Sequence, residues 1–284
     1  AFEGIDLALF CAGTGVSKEL APEAVKRGAI VIDNSNAFRM DPEVPLVIPE
    51  VNPHHIKHHN GIIANPNCST IQMVMVLKPI HDKSKINRVV VSTYQAVSGT
   101  GVDAVEELKD QSEVLLKGQN PKPQVYPHPI AFNVLPHIDV FDETGYSLEE
   151  WKMILETKKI LDDEDIAVTA TTVRVPVING HAESVNIETQ EKLTVSEVRE
   201  ILSKAPGIVV VDEPEKKRYP LPQDATGRDE VFVGRIREDF SVPCGLNLWI
   251  VADNLRKGAA LNAVQIAEHV VENQRVYVNQ RAYA

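Results

Sequence analysis

The sequence predicts an α/β protein in two parts, a parallel-sheet unit followed by an α+β unit built on a mixed sheet. Two observations carry this expectation. Short, continuously apolar strands alternate with a helix over the first 33 residues, as a parallel sheet covered on both faces requires. Further on, strands outnumber helices and sometimes follow one another directly, which fits a mixed sheet better than a strict alternation.

Ile5 to Gly13 reads as a buried strand running into a glycine turn, Ser17 to Arg27 as a helix, and Ala29 to Asp33 as a second buried strand. Units of this rhythm open a Rossmann-type nucleotide-binding fold, with a Gly-rich loop after the first strand. No G-x-G-x-x-G precedes Ile5, so the expectation is that the first strands of the unit lie upstream of Ala1. Ser69 to Leu77 begins an apolar helix and Arg88 to Gln95 is a strand. Val102, Val105, Leu108 and Leu115 recur at helical spacing up to Gly118, where a helix can stop. Pro121 to Pro129 is a loop, and Ser147-x-x-Glu150 is a capping box opening a helix through Leu161. Strands follow at Ile166–Val177 and Glu183–Thr189, and a short helix opens at the second capping box, Thr194-x-x-Glu197. Gly207–Asp212, Glu230–Ile236 and Leu246–Ala252 complete the strands, and Arg256–Glu272 is a closing amphipathic helix.

Composition narrows the function. The 284 residues carry a formal net charge of -11, which argues against a nucleic-acid partner. No run of about 18 apolar residues predicts a membrane span, and no secretory leader is expected. Cys11, Cys68 and Cys244 lie far apart; they make neither a disulfide framework nor a metal pairing, and a cytoplasmic setting fits. Cys11 and Cys244 are expected to be small buried apolar residues.

Four segments can carry chemistry. In Asn65-Pro66-Asn67-Cys68-Ser69-Thr70, Cys68 stands just ahead of a helix, whose free N–H groups and dipole lower a thiol pKa. Position alone leaves a reactive and a structural cysteine equally open. Tyr94 to Gly101 is a strand end followed by a small-residue turn, where a ligand can approach the backbone. Arg174 ends a strand, where a buried guanidinium seeks an anion, and His181 follows a glycine turn, where it could move a proton. Glu149-x-x-Lys152 sits on one helix face, and such pairs are usually exposed ion pairs. Arg39, taken alone, reads as a solvated loop charge. The His54-His55-x-x-His58-His59 cluster lacks a completing ligand and is not expected to bind metal. With no G-x-S-x-G elbow, a serine hydrolase is not expected.

Together these residues resemble the aspartate-semialdehyde dehydrogenase family. The resemblance rests on Asp33-Asn34-Ser35-Asn36-Ala37-Phe38-Arg39-Met40, the Cys68 motif, Gln95 with Ser98-Gly99-Thr100-Gly101, and Glu149-Glu150-Trp151-Lys152-Met153. Arg174-x6-His181 and Asp253-Asn254-Leu255-Arg256-Lys257-Gly258-Ala259-Ala260 complete it. It runs along almost the whole chain, minus roughly the family's first sixty residues, judged from typical α/β unit lengths.

The resemblance implies a partial dinucleotide-binding domain at 1–67, a catalytic and dimerisation domain at 68–252, and a C-terminal helix at 253–284 returning to the first domain. It implies Cys68 as acyl-thioester nucleophile, His181 as general acid/base and Gln95 as substrate orienter. Arg174 and Glu149 would hold the substrate's carboxylate and amino groups. Arg39, Asn67 and Lys152 would bind phosphate. Ser98 and Gly99, with Gly13 and Gln265, would contact the cofactor, NADP. The implied reaction is NADPH-dependent reductive dephosphorylation of L-aspartyl-4-phosphate to L-aspartate-4-semialdehyde, in a homodimer or tetramer, in biosynthesis of lysine and diaminopimelate, threonine, methionine and isoleucine. The competing readings are a related acyl-phosphate reductase, of the N-acetyl-glutamyl-phosphate reductase or glyceraldehyde-3-phosphate dehydrogenase type, and an inactive dehydrogenase-like scaffold.

Overall fold

A computed structural model describes the backbone of residues 1–282 and the side chains through residue 272; the last two residues of the expected C-terminal segment lie outside the described residues. The fold consists of two sheets. The first is parallel, in the order β1 (Leu7–Phe10), β2 (Ile30–Asp33), β3 (Ile62–Ala64), with helix α1 (Thr14–Lys26) joining the first two strands. Strand β3 has three residues, too few to carry a periodic signal. Gly13, at φ 90°, turns the chain from β1 into α1 and starts the helix three residues before the expected Ser17. The expected continuous burial of the first strand fails at Leu9, which is 48% exposed.

The second sheet has six strands. Helix α2 (Cys68–Lys83) leads into β4 (Ile86–Gln95); a tight turn at Val97–Thr100 precedes α3 (Val102–Leu116). After the loop come α4 (Leu148–Leu161), β5 (Ala167–Arg174), β6 (His181–Thr189), α5 (Val195–Lys204) and β7 (Ile208–Val210). A one-turn helix α6 (Pro222–Ala225) then precedes β8 (Val231–Asp239) and β9 (Gly245–Ala252). The spatial order is β5-β4-β6-β9-β8-β7. The β4–β5 and β7–β8 pairs are parallel and the other three antiparallel, so the sheet is mixed as predicted. Both predicted capping boxes form, at Ser147/Glu150 and Thr194/Glu197.

Helix α2 is the hub. Ten of its residues are buried, from Ser69 to Ile80. A helix apolar on nearly every side must lie inside the protein, and α2 is enclosed by the six-stranded sheet, α4 and α5. Its N-terminus, with Cys68, therefore emerges where the two sheets meet. A π-turn at Arg256–Ala260 then feeds α7 (Leu261–Ala282), whose Ala263, Ile266 and Val270 pack on Ile32, Val47, Ile56 and Ile63 of the first sheet region. No helix among the described residues is long and apolar enough to cross a membrane.

Candidate active site

Cys68 is the first residue of α2, and Asn67 caps that helix. The Asn67 carbonyl oxygen Oδ1 accepts from the Ser69 and Thr70 backbone N–H groups at 3.0 and 3.2 Å. Its Nδ2 donates to Glu149 at 2.9 Å. Asn67, expected as a phosphate ligand, thus spends most of its side chain holding the cap and Glu149.

The thiol opens onto a cleft of about 460 Å³, lined among others by Gly13, Ser35, Arg39, Gln95, Gly99, Glu149, Lys152 and Arg174. Residues from four separated segments, 95 to 174, thereby reach the residue at position 68. Gln95 ends β4, and its Nε2 donates to Thr93 and Glu149, each at 3.3 Å. Glu149 is buried and also accepts from Lys152 at 3.1 Å. Burial raises the Glu149 carboxyl, but Lys152, Asn67 and Gln95 outweigh it and hold the group below its ordinary range. Lys152 donates to Asp139 as well, at 2.8 Å. The Glu149–Lys152 pair is accordingly part of a partly buried network and not the exposed pair its spacing usually signals.

Arg174 is 5% exposed, donates through Nη1 to the Ala96 carbonyl at 2.7 Å, and leaves a buried Nε without a partner. It makes no ion pair among the described residues. A buried cation without a counter-charge is costly, and this one faces the cleft, so it is built to meet an anion. Arg39 departs from the reading of a solvated charge: it is 8% exposed, and its Nη1 donates to Glu156 at 3.0 Å. Glu156, which sequence reasoning missed, also accepts the Asn67 N–H at 2.7 Å.

His181 is fully buried at the start of β6. Its Nδ1 accepts from the Ala96 N–H at 3.0 Å. A neutral ring with an acceptor at Nδ1 carries its proton on Nε2. Burial, and then the Arg174 charge, push its pKa well below the ordinary value. Nε2 has no protein partner, and it lies where a Cβ on Gly99 would come to 3.2 Å from it and from Arg174 Nη1. Any residue larger than Gly99 would press on both side chains. Ser98 is tied by its hydroxyl to Asn179 and Asn254 at 3.0 Å.

The expectation of a lowered Cys68 pKa fails. Burial first, and the Glu149 charge second, push the Cys68 thiol up to about 12; Arg174, Arg39 and the Ser69 N–H pull the other way without winning. The helix terminus alone therefore does not generate a thiolate, and slow alkylation of the ligand-free protein would not identify a scaffold. Gln265, expected as a weaker cofactor contact, lies outside the lining of the Cys68 cleft. Its amide accepts from Lys257 at 2.6 Å and donates to Glu50 at 3.1 Å, on a different surface with Pro206 and His269. The other cysteines also depart from expectation. Cys11 is exposed because β1 ends one residue earlier, and Cys244 is half-buried in the turn before β9. His54, His55 and Asp162 come within reach of one another. However, His55 accepts from Asn52 at Nδ1 and meets Asp162 at 2.9 Å through Nε2, which leaves that ring no free lone pair for a metal.

On the same face of β6 as His181, Glu183 is fully buried, and neither carboxyl oxygen has a hydrogen-bond partner among the described residues. Burial drives its pKa well above the ordinary value of about 4.5, against a weaker pull from Gln72. The folded protein holds this proton and the unfolded chain releases it, so stability falls as pH climbs above about 4.5 toward the folded value. Glu183→Gln keeps the neutral shape. Its melting temperature should exceed wild type at pH 8, by roughly 2–4 °C per kcal/mol relieved, with the gain shrinking toward pH 5. Equal destabilisation at both pH values would mean that the carboxylate form is needed.

Comparison with known proteins bears on this arrangement. The semialdehyde dehydrogenase NAD-binding domain family matches residues 1–59, and the semialdehyde dehydrogenase dimerisation domain family matches residues 77–257. An aspartate-semialdehyde dehydrogenase of Aquifex aeolicus is 60% identical over 274 residues, covering 95% of this chain and 81% of that protein. The crystal structure of aspartate semialdehyde dehydrogenase II from Vibrio cholerae, complexed with ASA, superposes with a TM-score of 0.93 at 47% identity, over 96% of this chain and 81% of that one. A Candida albicans aspartate semialdehyde dehydrogenase structure with NADP matches with a TM-score of 0.72 at 28% identity, over 93% and 77% of the two chains.

Proposed function

Because the chain belongs to the aspartate-semialdehyde dehydrogenases, enzymes of aspartate-derived amino-acid biosynthesis, we propose that its cleft works through a covalent acyl-thioester on Cys68. The observation that supports this most is the meeting of one thiol, one unpaired buried arginine and one buried Glu–Lys pair in a single cleft.

Arg174 binds the α-carboxylate of L-aspartyl-4-phosphate as a charge-assisted pair, and Glu149 takes its ammonium group. The ammonium neutralises the charge that is the second cause of the high Cys68 pKa. Gln95 orients the acyl group. The Cys68 sulfur attacks the acyl carbon, the C–O bond to phosphate breaks, and the thiol proton leaves with the departing phosphate as hydrogenphosphate. Arg39 and Lys152 compensate the charge on the leaving phosphate. His181, neutral with its proton on Nε2, donates a hydrogen bond to the oxygen that becomes negative and stabilises that charge. Bound NADPH supplies the hydride that takes the thioester to the aldehyde level. The Cys68 sulfur then leaves from the hemithioacetal, releasing L-aspartate-4-semialdehyde. A thioester accepts hydride more readily than a carboxylate, which is why a covalent route is used.

The residues at the mouth suit a dinucleotide. Gly13 caps α1 without a side-chain bond, leaving N–H groups for phosphate. The crowding around Gly99 allows a flat ring to approach only in the absence of a Cβ. The protein assembles as a homodimer through the open face of the six-stranded sheet, where half-exposed Tyr94 lies against Trp249 with ring centroids 5.5 Å apart. Its unpaired cysteines suit the cytoplasm.

The test is turnover. The protein should oxidise L-aspartate-4-semialdehyde only when phosphate is present, and with NADP+ in preference to NAD+. Phosphate-independent turnover, or preference for N-acetylglutamate semialdehyde, would overturn the reading.

A further inference from the structure

The interface between the first sheet region and α4 contains a charge ladder whose lower half has no role in the proposed reaction. Glu149, Lys152, Glu156 and Lys159 follow at spacings of three and four on α4, which places them in one stripe. The two upper members belong to the cleft. The two lower ones reach the loop after β2. Glu156 is 1% exposed, and its two oxygens point to different partners: Oε1 accepts from Arg39 at 3.0 Å and Oε2 from the Asn67 backbone N–H at 2.7 Å. Arg39 Nη2 donates in turn to the Asn34 carbonyl at 3.0 Å. Lys159 Nζ donates to the carbonyls of Arg39, Asp41 and Val44 at 2.8, 2.7 and 2.8 Å, which uses all three of its protons.

We propose that Glu156 is a positioning residue for phosphate, holding the Arg39 guanidinium and the Cys68 helix start in one rigid frame, with Lys159 fixing the loop that carries Arg39. The proposal rests on the reading of Arg39 as a phosphate ligand. A long arginine on a loop loses much rotamer freedom when it binds an anion. Glu156 and Lys159 impose that order in advance, and a ligand then meets a fixed guanidinium. Because the same carboxylate grips Asn67, the distance between the phosphate-binding group and the nucleophile is set through one side chain. A glutamine at 156 places an NH2 donor where one of these two oxygens stood, so one of the two partners, each a donor, loses its acceptor there.

The experiment measures steady-state kinetics of phosphate-dependent aldehyde oxidation, in the full chain saturated with NADP+, for Arg39→Ala, Glu156→Gln and the double variant. Glu156→Gln should raise the KM for phosphate roughly tenfold, with the KM for the aldehyde within about twofold. In the Arg39→Ala background it should raise the phosphate KM no further, because it acts through Arg39. A rise of both KM values together, or additive effects on the phosphate KM, would make Glu156 merely structural and overturn the proposal. An unchanged phosphate KM in Arg39→Ala alone would instead overturn the underlying assignment of Arg39. If Glu156→Gln does not fold, Lys159→Met carries the test: the phosphate KM alone should rise, by roughly threefold, and no selective rise would overturn the proposal.

Discussion

Replacing Cys68 with alanine should lower kcat by about 10⁴-fold or more while leaving the fold intact. The loss is this large because every other group in the cleft binds, orients or donates, and none can form the acyl bond. The cost in stability should stay within about 1 kcal/mol, since the thiol makes no essential packing contact that alanine would vacate on a scale larger than one sulfur atom. Cys68→Ser separates bonding from size. Its hydroxyl fits the same space, yet an oxygen ester would resist hydride transfer, and an alkoxide is a poorer leaving group than a thiolate. Near wild-type turnover in either variant would remove the covalent route.

The second large effect concerns Arg174. Its side chain is buried, has an unpartnered Nε and has no ion pair among the described residues, so its binding energy is reserved for a ligand. Arg174→Ala should lose at least about 2–3 kcal/mol of transition-state binding, a fall of roughly 30- to 150-fold in kcat/KM. Arg174→Lys should recover little of it, because a point charge cannot reproduce a planar two-pronged contact. The loss should vanish for substrate analogues that lack the carboxylate. An effect on melting temperature alone would make Arg174 structural.

Much of this site was legible in the sequence because its parts are local signals. The Asn-Pro-Asn-Cys-Ser-Thr run marks a cap and a helix start, and Ser147-x-x-Glu150 fixes the face of α4 that carries Glu149 and Lys152. The Arg174-x6-His181 spacing spans the connection between β5 and β6. What the sequence concealed depends on distant partners. Arg39 looks solvated until Glu156, 117 positions away, is brought against it. The Cys68 pKa follows from burial and from Glu149, neither of which a helix-terminus argument contains. The partners of Gln265, Lys257 and Glu50, were likewise not legible, since Glu50 lies 215 positions away. Strand β3 escaped because three residues show no period.

The central claim is the acyl group on Cys68, and it can be observed directly. With NADP+ and L-aspartate-4-semialdehyde but no phosphate, the thioester has no phosphate to take up its acyl group and should accumulate. Acid quenching and mass spectrometry of the peptide bearing Cys68 should reveal an added aspartyl acyl group that disappears within one turnover when phosphate is supplied. Steady turnover with an unmodified Cys68 under those conditions, or an adduct that phosphate does not discharge, would contradict the account.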